Sequence, residues 1–235
     1  MNPRGLKVTG AWFQVGGNLI AAIGTTRGFM EEEKIESDLV IVGSSLQALG
    51  YILQLVKIEK IVDIQNIKEK EEIDSREEQV EKRSESLERT GIELLALGNI
   101  SNVIGTYFNV NKQKKENDYL IITGNTLQSI GAFFGVEAAL NEINNIPWVI
   151  VFGNSMQSLG AGMQAYQGIH NISKEEKINK KRSTDTDKED QRLVGLIGIW
   201  IQAIGTFISA IGLTEIVEKE RKTIDMPKKV EMIGR

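Results

Sequence analysis

The residue types that carry out chemistry in proteins are scarce in this sequence, and those present are poorly placed for it. The chain has no cysteine, so it offers neither a thiol nucleophile nor a thiolate ligand. Its one histidine, His170, stands in Gly168-Ile169-His170-Asn171 without a second histidine to join it. A general base needs a positioned partner, so His170 reads as a surface or helix-end residue. The same two absences remove the common zinc geometries and any disulfide framework. Carboxylates are plentiful but lie in solvated charge runs such as Glu31-Glu32-Glu33, where nothing apolar would push one pKa away from another. Asp185-Thr186-Asp187 lacks the glycine and the distal bidentate Glu of a calcium loop. No glycine-rich phosphate loop of the GxGxxG or GxxxxGK type is present. The expectation is a chain that is not an enzyme, with no catalytic residue, no metal and no cofactor. A formal net charge of -4 also excludes nucleic acid as a partner, since phosphate neutralisation needs a basic surface.

What does recur is an amide. Gln14, Gln47, Gln128, Gln157 and Gln202 each occupy the fifth position of an eight-residue unit that begins and ends with glycine. Such a row is either a wetted polar stripe or a ladder of side-chain amides bonded across neighbouring helices. The units are Gly10 to Gly17, Gly43 to Gly50, Gly91 to Gly98, Gly124 to Gly131, Gly153 to Gly160 and Gly198 to Gly205, and the third places Leu95 where the others have Gln. A further glycine follows seven residues on at Gly24, Gly105 and Gly212. Trp12 and Trp200 fall at the same repeat position; with Trp148 they are candidates for interfacial anchors or for ordinary packing.

The elements that position these residues follow from the spacing. A period of seven places residues nearly two turns apart on one helix face. Glycine costs about 1 kcal/mol relative to alanine inside a helix, so its repetition implies backbones in close approach. The expected core stripe joins these glycines to apolar residues such as Phe13, Ile20 and Ile23. The fold class expected is mainly α, six degenerate helical repeats in a bundle or solenoid-like array. An α/β fold is the alternative, because Leu39-Val40-Ile41-Val42, Leu120-Ile121-Ile122 and Val149-Ile150-Val151-Phe152 run into glycine as strands do. On that alternative the protein would be a small-molecule binder.

Charge is segregated. Val8 to Thr26, Leu39 to Val56, Leu94 to Asn111, Tyr119 to Val136, Ile143 to Ser173 and Leu193 to Thr214 contain no Asp, Glu, Lys or Arg. A surface helix of a soluble bundle carries charge on its outer face, so these faces are expected to meet protein, lipid or a polar interface. By hydropathy only Leu193 to Ile211 is convincing as a span, with Leu39 to Val56 borderline. The chain divides into residues 1–56 with repeats one and two, a charged connector 57–90, residues 91–173 with repeats three to five, a charged linker 174–192, repeat six at 193–214 and a charged tail 215–235. The connector has 19 ionic residues between Lys57 and Arg89, with Ile73, Val80 and Leu87 at heptad spacing, and is expected to form one solvated helix. Lys174 to Arg192 reads as a flexible linker.

The segment Trp200 to Gly212, together with the units GNTLQSIG and GNSMQSLG, resembles an uncharacterised family of repetitive proteins from Bacillus-like bacteria. The resemblance covers the six units and not the linkers, and it implies no activity and no catalytic residue. The function expected is therefore a non-enzymatic structural or interaction protein, partnered by another protein or by itself. A membrane-associated or membrane-embedded bundle is the alternative. The location expected is cytoplasmic or membrane-associated, since no secretory signal is recognisable.

Overall fold

In a computed structural model the chain is almost entirely helical over the residues described, which are 3–68, 75–111, 114–142, 146–178 and 186–225. Six helices run in order: α1 Pro3–Phe29, α2 Glu33–Lys68, α3 Ser75–Asn111, α4 Lys115–Leu140, α5 Trp148–Ile178 and α6 Thr186–Asp225. Each holds one glycine unit. Their starts are locally encoded: Pro3 opens α1, where its missing N–H costs nothing, and α2 and α4 carry Glu33, Glu36, Glu116 and Asp118 in their first turns, facing the positive end of the helix dipole.

The α/β alternative is overturned. Leu39–Val42, Leu120–Ile122 and Val149–Phe152 all lie inside helices, and no strand occurs among the described residues. These apolar runs are long enough for a strand, but each continues into a glycine-spaced heptad that only a helix places on one face. Of the connector, residues up to Lys68 belong to α2 and those from Ser75 to α3, and residues 69–74, where continuity would be decided, lie outside the described residues. Within the linker and the tail, α5 extends to Ile178, α6 runs from Thr186 to Asp225, and residues 179–185 and 226–235 lie outside the described residues.

Each helix packs on the next, and α6 packs back on α1, so the six form a closed antiparallel ring; α1 with α2, α3 with α4 and α5 with α6 are the closest pairs. A helix in such a ring has two flanks, an inner face and an outer face. One flank carries the glycines. The other carries alanine and serine: Ala21, Ala22 and Ala203 join α1 to α6, and the Ser129 and Ser158 hydroxyls each donate to the other's backbone carbonyl at 2.9 Å between α4 and α5.

The inner and outer faces reverse the expected stripe. Ile23 is exposed and Phe13 and Ile20 are half-buried, whereas Ala11, Gln14, Val15, Asn18, Ala21 and Ala22 are buried. Many of the large apolar side chains of the heptad point outward, and its Gln and Asn turn in beside alanines and a few larger apolar residues. The largest fully buried side chains described are Asn18, Asn99 and Thr206.

Candidate functional site

Glycine decides how closely the hairpins approach. Gly10 faces Gly50, Gly17 faces Gly43, Gly91 faces Gly131, Gly98 faces Gly124, Gly153 faces Gly205 and Gly160 faces Gly198. A Cβ on either Gly17 or Gly43 would lie 2.5 Å from the other's carbonyl oxygen, where no side chain atom fits. Gly24, Gly105 and Gly212 have no glycine opposite; they admit Leu39, Ile121 and Val149. The fifth position of four units covers the partner's glycine with its stem, Gln47 over Gly17, Gln14 over Gly50, Gln128 over Gly98 and Gln202 over Gly160, while over Gly205 the Met156 Cβ and the Gln157 backbone lie instead. Leu95 likewise covers Gly131, which accounts for its place in the repeat, and it heads an apolar cluster with Tyr51, Ile92, Ala96 and Ala132.

The aliphatic stems that cover glycine carry their amides into the ring. All five glutamines of the row are buried. They do not form one continuous ladder. Gln202 Nε2 donates to Gln128 Oε1 at 2.6 Å, and Gln164 Nε2 donates to Gln202 Oε1 at 2.6 Å. Gln157 Nε2 donates to Asn154 Oδ1 and Ser209 Oγ, both at 3.2 Å, while its Oε1 accepts from the Tyr51 hydroxyl at 3.4 Å. Gln14 and Gln47 are bonded to no other member of the row. Two of these bonds cross the ring: Gln128 on α4 meets Gln202 on α6, and Tyr51 on α2 meets Gln157 on α5, although neither helix pair is adjacent.

Asparagines that the glycine pattern does not predict complete this polar layer. Asn18 Nδ2 donates to Thr206 Oγ1 at 3.0 Å and to the Gln14 carbonyl at 3.2 Å; Asn99 Nδ2 donates to the Leu95 carbonyl at 2.8 Å; Asn102 Nδ2 donates to Asn125 Oδ1 at 2.7 Å. Their signal in the sequence was the offset alone, since Asn18 and Asn99 each follow the closing glycine of a unit. Five buried polar atoms among the described residues have no hydrogen-bond partner: Gln14 Nε2, Asn18 Oδ1, Gln47 Oε1, Asn99 Oδ1 and Asn102 Oδ1. An unmet group of this kind costs about 1 to 3 kcal/mol.

Two cavities converge on the layer from opposite ends of the ring. The narrower, about 560 Å³, reaches Gln14, Tyr51 and Gln157, and its mouth carries Lys7, Glu88, Glu142, Glu215, Lys219 and Glu220. The wider, about 1160 Å³, reaches Gln47, Asn99, Asn102, Gln128 and Gln202, and its mouth carries Glu33, Lys34, Glu36, Lys114, Lys115, Asp118 and Arg192. At the narrow mouth Lys7 Nζ pairs with Glu88 at 2.5 Å. Burial opposes the charge on Lys7, but Glu88, with Glu220 and Glu142 beyond it, outweighs that and holds its pKa above the ordinary lysine value. Burial, reinforced by Glu88, pushes the Glu142 carboxyl up. His170 lines neither cavity and stacks on Tyr166. No group of three or more His, Cys, Asp or Glu able to hold a metal occurs among the described residues.

Trp12 and Trp200 occupy equivalent places at the seam where the ring closes. Trp12 Nε1 donates to Thr214 Oγ1 at 3.3 Å, and Trp200 Nε1 donates to Thr26 Oγ1 at 3.1 Å. Each threonine follows its own helix's tryptophan by the same fourteen residues, so α1 and α6 clasp each other reciprocally.

No curated protein and no solved structure matches the chain. A family does match, over residues 5–192, which is α1 to the first residues of α6 and most of the chain. The chain therefore belongs to the family of unknown function DUF6944.

Proposed function

We propose that this chain is a membrane-embedded bundle that encloses a polar, uncharged interior across the bilayer. One observation carries the reading: the polarity of the fold is inverted. Its interior buries amides and hydroxyls beside small apolar side chains, while Ile23, Val42, Leu97, Phe133, Phe152, Leu159 and Ile204 stand exposed around the outside. A soluble monomer rarely exposes contiguous apolar surface beyond a few hundred Å². In a bilayer the arrangement is the expected one, because lipid accepts apolar side chains and polar ones turn inward.

Dimensions support the same reading. The shortest uncharged segments have 18 residues and so rise about 27 Å, close to the ~30 Å of a hydrocarbon core. Charged side chains bound the belt, as the Arg89 and Glu93 ion pair does on α3. Trp148 at one end and Tyr107, Tyr119 and Tyr166 at the other are exposed, as aromatic residues at headgroup level are. Two helices are long and apolar enough to cross a membrane taken singly, over Glu33–Leu55 with mean hydropathy 1.3 and over Gln191–Lys222 with 1.9. In the other four the hydropathy is lowered by Gly, Asn and Gln, many of which face the interior and never meet lipid. The partner of the uncharged faces is then lipid.

Cell fractionation with a carbonate wash tests this. The full chain should stay in the membrane pellet and leave it only with detergent. A chain that is soluble and monodisperse without detergent, whether as a monomer or as an oligomer that buries the belt against copies of itself, overturns the reading.

A further inference from the structure

We propose that the ring is a conduit for small neutral polar solutes, closed midway by two tiers built on the fifth position of the repeat. The inference rests on the membrane reading, since each cavity then opens toward a different aqueous face. The solute class and the residues that hold the passage shut follow from how the repeat is placed in the ring.

The fifth positions of the six units fall into two sets. Gln47, Gln128 and Gln202 stand on α2, α4 and α6, which run one way, and all three line the wide cavity. Gln14, Leu95 and Gln157 stand on α1, α3 and α5, which run the other way, and all three line the narrow one. The facing glycines set the two sets one residue apart within every hairpin, a rise of about 1.5 Å. With Gly10 opposite Gly50 and Gly17 opposite Gly43, for instance, Gln14 stands level with Leu46, next to Gln47. The partition between the cavities is built at this level, and no described residue lines both.

What closes the passage is polar and weakly held. Gln202 Nε2 bonds Gln128 Oε1 in one tier, and the Tyr51 hydroxyl bonds Gln157 Oε1 in the other; a neutral hydrogen bond contributes little net stability, because water offers the same bond. In each tier the remaining glutamine keeps a buried atom without a partner, Gln47 Oε1 on the wide side and Gln14 Nε2 on the narrow side. An apolar plug loses nothing by staying dry. This one leaves an acceptor and a donor unmet, which an entering hydroxyl or amide satisfies. The walls beyond the tiers offer donors and acceptors alike, through Ser44 and Thr106 on the wide side and Ser84, Asn154 and Ser209 on the narrow. An ion would have to give up its hydration shell, and neither tier has a charged side chain to replace it, while Leu95 makes part of one tier apolar. The solute that fits is therefore small, uncharged and rich in hydroxyl or amide groups.

The test is light scattering from liposomes that carry the purified full chain, shrunk by external glycerol and followed as glycerol enters and they swell again. Insertion is checked first, by flotation and a carbonate wash. Glycerol should re-swell these liposomes faster than protein-free ones, and potassium chloride in its place should not. Gln202→Ala removes a cross-ring bond and part of the tier's bulk, and should raise the glycerol rate a further ~3-fold or more. Gln202→Met keeps an aliphatic stem over Gly160 but removes the amide, and should bring the rate below the parent's. Glycerol rates equal to those of protein-free liposomes for the parent and both variants, with the chain inserted, overturn the conduit alone. A parent rate that neither variant changes overturns the tiers as its closure, and potassium chloride entering as fast as glycerol overturns the solute class. A chain that does not float with the liposomes overturns the membrane reading, and the conduit with it.

Discussion

At the scale of single residues the glycines and the amides make separate predictions. Gly43 has the Gly17 carbonyl oxygen 2.5 Å from where its Cβ would be and the Ala21 amide nitrogen at 2.8 Å, both of them backbone and unable to rotate away. Gly43→Ala should therefore destabilise by about 1 to 3 kcal/mol despite the better helix propensity of alanine. Gly5 has nothing within 4 Å, so Gly5→Ala, also in α1, should be neutral or gain up to ~1 kcal/mol. Thermal melts of the two variants side by side check both signs. The amides couple across the ring. Losing either Gln128 or Gln202 strands the other, so each change to alanine should cost ~1 to 3 kcal/mol and the double variant less than the sum. Additive effects near zero would mean that the bond is not formed.

At the scale of the element, the ends of the helices hold the charge that their middles lack. Lys7, in the first turns of α1, meets Glu88 of α3 rather than a neighbour on its own helix. Its pKa is raised in the folded chain, so the pair's contribution is fully present below the ordinary value of 10.5 and disappears as pH rises through the higher folded value. Melting temperature should therefore fall above pH 10.5 more steeply in the parent than in Lys7→Met, which has no such proton to lose. Parallel curves through that range would show that the pair contributes nothing. The reciprocal bonds of Trp12 and Trp200 act on the same scale, since they join two helices nearly two hundred residues apart in the chain.

For the whole molecule the decisive property is which face meets which medium. The absence of cysteine makes this measurable with single introduced thiols. In intact membranes Phe133→Cys and Ile204→Cys, on the exposed apolar belt, should resist a hydrophilic maleimide that labels Lys115→Cys at the rim. Equal labelling at all three positions would place the belt in water.

The sequence alone pointed to a mainly helical chain with six glycine-spaced units, while leaving an α/β fold open. A seven-residue glycine period favours a helix, and the structure then shows the glycines that open and close each unit meeting those of the neighbouring helix, which fixes how the two slide past each other. The sequence also showed that cysteine is absent, that no GxGxxG or GxxxxGK loop occurs, and that long stretches of the chain carry no charge. Tertiary structure alone decided the rest. Periodicity shows that a helix has two faces but not which one turns inward, and here Gln14 and Asn18 turn in while Ile23 turns out, against the ordinary preference of a soluble core. Leu95 departs from the glutamine row in sequence yet does the same packing work, because what the position supplies to its partner is an aliphatic stem over a glycine. The bonds that cross the ring, and the amide oxygens left over beside them, arise only when α6 closes on α1 and brings non-adjacent helices within a side chain's reach.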